Sequence, residues 1–123
     1  MLVNAAAVTG PDGLFLFDTG AARSMIARSF VDRVQGAQIE RAAAVRTYGG
    51  NVGGASSVRG VKLRFLDVLG RGSAMYTSDL TQRSRLGGVE VSGFLGMDLL
   101  DGTTIVVDTR ARRVAVSSPP SKN

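Results

Sequence analysis

The sequence contains no cysteine, no histidine and no tryptophan, and only three prolines in 123 residues. Without cysteine, disulfides, thiolate metal sites and cysteine nucleophiles are excluded. Without histidine, Ser-His-Asp and Cys-His catalysis, histidine-ligated zinc and histidine pH switching within the chain are excluded as well. Hydrolytic chemistry in this chain must therefore rest on carboxylates, lysine or an amino-terminal group, and no metal or other cofactor is expected. Aromatic residues are sparse, with two tyrosines and five phenylalanines. They do not interleave with basic residues as single-strand nucleic-acid binders require. No apolar run approaches the roughly 18 residues of a membrane helix, so no membrane insertion of this domain is expected.

Acidic residues are also in the minority, 10 against 15 lysines and arginines, for a formal charge of +5. A basic excess raises the question of an anionic partner. The arginines are scattered, however, and the one dense group is Arg110, Arg112 and Arg113 beside a predicted turn. A nucleic-acid partner is not expected. Met1 stands directly before the first apolar stretch, which reads equally as a natural start or as a domain of a longer protein.

What is present suits a β-rich globular domain. The apolar fraction of 44% and charged fraction of 20% are ordinary, and 16 glycines favour tight turns and close backbone approaches. Residues 2–8 read as a strand, followed by the turn chemistry of Pro11, Asp12 and Gly13. Residues 14–18 read as a central strand, apolar on both faces. Met25, Ile26, Phe30 and Val34 recur three to four apart and predict a short helix or helical turn within 22–34. Segments 40–48 and 55–66 flank "YGGNVGG", and "SAMYTSDL" reads as a further strand. "TQRSRLGG" reads as a polar loop. "VEVSGFLGMDLLDG" predicts a short strand, an apolar pair between glycines and a helix ended by Gly102. "TTIVVD" and "RRVAV" predict a final hairpin. The expectation is one all-β domain over 1–117, a closed or partly closed barrel with one or two short helices, and a disordered tail over 118–123.

Three constellations carry chemistry. In "LFDTGA", a hydrophobic strand runs into Asp18, Thr19, Gly20 and Ala21. This places a carboxylate at the exit of a buried strand, a hydroxyl to lock the loop, and a glycine that lets backbone approach. Taken alone, Asp-Thr-Gly is a short turn motif; Asp108-Thr109 shows how readily Asp-Thr occurs. "TYGGNVGG" pairs glycines at both ends of a short segment, Tyr48, Gly49, Gly50, Asn51, Val52, Gly53 and Gly54, which suits a mobile hairpin tip. In "FLGMDLL", Leu95 and Gly96 permit close backbone passage before a helix, and Asp98 sits near its amino end, where a carboxylate has a structural use.

The order of these three motifs resembles the retropepsin family of aspartic proteases, the single-domain enzymes of retroviruses and their cellular and bacterial relatives. The resemblance runs from about residue 2 to residue 116, and "IVVDTRARRVAV" looks like the carboxy-terminal strand pair of the bacterial branch. It implies that Asp18 is the catalytic aspartate. Thr19 then bonds across to a partner's loop, Gly20 meets substrate, and Ala21 completes the active-site loop. Residues 48–54 act as a flap over bound peptide, while Leu95 and Gly96 support the active-site loop from below. Two features depart from the family pattern: Asn51 and Val52 interrupt the flap glycines, and Met97 stands where retroviral members often carry arginine. Bacterial relatives imply an envelope or periplasmic setting within a longer protein.

Aspartic proteolysis needs two carboxylates sharing one proton about a water. Like charges that close cannot both ionise, so the titration belongs to the pair. The chain has one Asp-Thr-Gly-Ala, so the resemblance implies a homodimer acting on peptide or protein substrates. The competing expectation is a retropepsin-like barrel that serves as a non-catalytic dimerisation or peptide-binding module.

Overall fold

Alternation of buried and exposed side chains begins with the first strand. β1 (Leu2–Ala7) buries Val3, Ala5 and Ala7 and leaves Leu2 and Asn4 exposed. It pairs antiparallel with β2 (Asp12–Phe17), Val3 opposite Phe15. The computed structural model describes residues 1–40, 45–47, 50–52, 55–66, 68–70 and 75–117. The tail expected to be disordered, 118–123, lies outside them.

After β2 come β3 (Met25–Ala27), α1 (Arg28–Val31), β4 (Gln38–Glu40), β5 (Val45–Thr47) and β6 (Gly50–Val52). They are followed by β7 (Ser56–Arg59), β8 (Leu63–Phe65), β9 (Val68–Leu69) and β10 (Met75–Ser78). The chain closes with α2 (Thr81–Gly87), β11 (Gly93–Leu95), α3 (Met97–Leu100), β12 (Thr104–Asp108) and β13 (Arg113–Ser117). Nine strands form one sheet in the order β4-β7-β10-β3-β11-β2-β1-β8-β9, which curls strongly into a half-barrel. β5–β6 and β12–β13 are separate two-stranded hairpins. The expected all-β, partly closed barrel holds, with three short helices among the described residues where one or two were expected.

The core lies inside the curl. Phe15, Ile26, Phe30, Leu63, Leu95, Leu99 and Leu100 are almost wholly buried. The rings of Phe15 and Phe30 meet edge to face at 5.2 Å and 83°, a geometry worth about 0.5–1.5 kcal/mol beyond area burial.

Several boundaries differ from the sequence reading. The 22–34 segment is a strand before it is a helix. Met25 and Ile26 enter the sheet between β10 and β11, and the helix is confined to Arg28–Val31, with Phe30 and Val31 buried. "TQRSRLGG" is helix α2 and not a loop, because Gln82, Arg83, Arg85 and Leu86 are good helix formers and Asp79 stands just before them. The Asp79 carboxylate accepts both the backbone N–H and the hydroxyl of Thr81. The strand expected from Val89 starts at Gly93, and β2 starts at Asp12. The 55–66 segment splits in two at Gly60, whose φ of +80° suits glycine. A Cβ there would stand 2.4 Å from the Gly36 carbonyl oxygen.

Candidate active site

Parallel pairing of β2 with β11 organises the site. Leu95 stands opposite Phe17, so both strands deliver their following loops, Asp18–Ala21 and Gly96–Met97, to the same end of the sheet. The Asp18 N–H donates to the Leu95 carbonyl at 3.0 Å, and the Met97 N–H donates to the Ala21 carbonyl at 2.8 Å. Asp18 folds its own loop as well. Its Oδ1 accepts the Gly20 N–H at 3.0 Å, and its carbonyl accepts the Ala21 N–H at 3.2 Å. Asp18 as a residue is half-buried, while Thr19 and Gly20 are exposed.

Gly96 is buried where no side chain fits. A Cβ there would lie 2.8 Å from the Ala21 carbonyl oxygen and 2.9 Å from that of Arg23, both backbone atoms. Leu95 is wholly buried. The two residues expected to underlie the active-site loop therefore touch it directly.

A second fastening was not foreseen from sequence. Ser24 is wholly buried and links both sides of the site. Its hydroxyl donates to Asp98 Oδ1 at 2.6 Å and accepts the Gly96 N–H at 2.8 Å; its backbone N–H donates to the same Asp98 oxygen at 2.9 Å. That oxygen also accepts the Leu99 N–H at 3.0 Å. Asp98 thus has the structural use expected of it. The available signal for Ser24 was one polar residue directly before the apolar Met25-Ile26 pair.

The other Asp-Thr pair is a turn. Asp108 Oδ1 accepts the N–H groups of Arg110 and Ala111 at 3.0 and 2.9 Å, on the exposed bend between β12 and β13. Among the described residues, no group of three or more acidic side chains is placed to hold a metal ion.

Of the expected flap, Gly50, Asn51 and Val52 form β6. β6 pairs antiparallel with β5, Thr47 opposite Gly50. Tyr48, Gly49, Gly53 and Gly54 lie outside the described residues. No helix among the described residues is long and apolar enough to cross a membrane.

The curled β half-barrel matches the retropepsin fold. The structure of EIAV protease complexed with the inhibitor HBY-793 matches with a TM-score of 0.59. It is 20% identical in sequence, and the match covers 81% of this chain and 84% of that one. The model of the aspartyl protease family matches residues 5–99, and the chain belongs to that family. No curated protein sequence matches the chain.

Proposed function

We propose that this chain is an aspartic endopeptidase whose active form is a homodimer, with the Asp18 carboxylates of two copies meeting at the two-fold axis. The protease domain is assigned to residues 1–117. The supporting observation is the distribution of labour among the acidic groups. Asp98 is occupied in fastening α3 to Ser24, and Asp108 caps a turn. Asp18, half-buried as a residue, carries the carboxylate at the shared exit of β2 and β11. One chain therefore contributes half of a dyad.

In the dimer the two carboxylates share one proton and hold a water. The ionised member takes a proton from that water as its oxygen attacks the scissile carbonyl carbon, and the protonated member gives its proton to the carbonyl oxygen. The C–N bond then breaks with a proton passing to the leaving nitrogen. Thr19 ties each loop to its partner, Gly20 presents backbone to the substrate, and residues 48–54 cover an extended peptide held by main-chain hydrogen bonds.

The test combines sedimentation with a peptide-library cleavage assay between pH 3 and 7, with pepstatin-type inhibition as control. Cleavage that tracks the dimer fraction is expected. Cleavage by a strictly monomeric chain would overturn the dimeric dyad. Dimerisation without cleavage of any peptide would favour the non-catalytic module.

A further inference from the structure

The register of the sheet brings an apolar row to the side of Asp18. Side chains alternate along β2, so Leu14 and Leu16 share one face while Phe15 turns into the core, and Asp18 directly follows the strand's end at Phe17. Across the sheet Leu16 stands opposite Leu2 and Phe94, Phe94 opposite Met25, and Met25 opposite Tyr76. The adjacent row, Val3, Phe15, Ile26 and Thr77, is buried. Leu16, Phe94, Met25 and Tyr76 are each only half-buried. An apolar stripe beside a carboxylate is thus left partly open.

The middle of the stripe carries a cation. The Arg83 guanidinium lies over the Phe94 ring, 5.2 Å from its centroid. Arg83 comes from α2, whose residues are not buried, and its side chain is exposed. Leu86, three residues on and hence on the same helical face, is 84% exposed. Arg59 pairs with Glu40, and no ion pair with a described carboxylate is seen at Arg83. A guanidinium held over an aromatic ring can still donate its N–H groups to a carboxylate. The chain's net charge of +5 favours the approach of an acidic segment.

We infer that Arg83 is a specificity-determining residue: an extended peptide lays an apolar side chain on the Leu16–Phe94–Met25 row and an acidic side chain against the Arg83 guanidinium. This assignment rests on the proteolytic reading above. It commits the substrate class to peptides with an acidic residue one or two positions from an apolar one.

The test uses peptides identical except for Glu or Lys at each position flanking the cleaved bond. They are assayed with the wild-type chain and with Arg83→Glu, and Asp18→Asn serves as the blank. At one position the wild-type kcat/KM ratio of Glu to Lys peptide is expected to exceed one. In Arg83→Glu that ratio is expected to fall by about fivefold or more. A ratio unchanged at every position overturns the assignment. If the wild-type chain cleaves nothing, proteolysis fails on its own. The same Glu and Lys peptides are then compared by binding to both chains: a reversed preference supports the role of Arg83, and unchanged or absent binding overturns it.

Discussion

Ser24 and Asp98 stand 74 residues apart in the chain, yet one carboxylate oxygen of Asp98 accepts both the backbone N–H and the hydroxyl of Ser24. The same hydroxyl takes the Gly96 N–H, so a single buried side chain fastens the loop after β2 to the loop after β11. Charge-assisted hydrogen bonds of this kind are stronger than neutral ones, and breaking them leaves buried polar groups unmet. Ser24→Ala is expected to cost about 2–3 kcal/mol in urea unfolding. It should also lower peptide cleavage, because the Asp18 loop loses its anchor. A variant as stable as wild type would show that this contact carries little.

Asp18→Asn nearly preserves volume but removes the group that accepts the proton of the attacking water. Cleavage should fall to background while the thermal midpoint stays within a few degrees. In mixtures with wild-type chain, mixed dimers should be inactive, so activity should fall faster than in proportion to the wild-type fraction. A strictly proportional decline would mean that one carboxylate suffices.

Gly96→Ala tests the close approach beneath the site. The added methyl group meets the backbone of Ala21 and Arg23, which cannot swing away as a flexible side chain does. The expected loss is about 1–3 kcal/mol, the usual range for overpacking. Cleavage should fall further than stability alone predicts, since the displaced atoms belong to the Asp18 loop. Wild-type activity in this variant would argue that the loop tolerates movement.

Asp79 offers a test of local electrostatics away from the site. The Thr81 hydroxyl, followed by the Thr81 backbone N–H, holds its carboxyl below the ordinary value of 3.8. A depressed folded-state value stabilises the fold above the unfolded value, and that contribution is lost as pH falls through the folded one. An NMR titration should place Asp79 below 3.8 in the wild type and closer to it in Thr81→Ala. Equal values in the two chains would remove Thr81 as the cause.

Legibility in the sequence followed the length and regularity of each element. β1 and the β12–β13 hairpin were readable because alternation or turn chemistry marks them over five or six residues. β3 was not, since its three residues are too few to show a period and Met25, Ile26, Phe30 and Val34 also satisfy helical spacing. Helix α2 escaped because it buries no side chain, which leaves no amphipathic signal to find. The candidate site was readable at Asp18–Ala21 and Leu95–Gly96, where short motifs are continuous in the chain. Ser24 with Asp98, and Arg83 with Phe94, were not readable as pairs, because each is joined only by folding.

The sequence by itself determined the chemistry open to this protein. Lacking cysteine and histidine, it retains carboxylates, and one of them ends an apolar strand in Asp-Thr-Gly-Ala. Only the tertiary structure decided which distant residues serve that carboxylate. Parallel pairing of β2 with β11 carries two loops to one end of the sheet, where Gly96 permits contact and Ser24 binds Asp98. The register then sets Leu16, Phe94 and Met25 in a row, with Arg83 over the Phe94 ring. The physical reason is that side-chain chemistry is a property of each residue, whereas hydrogen bonds and ring stacking depend on distances that only the folded sheet sets.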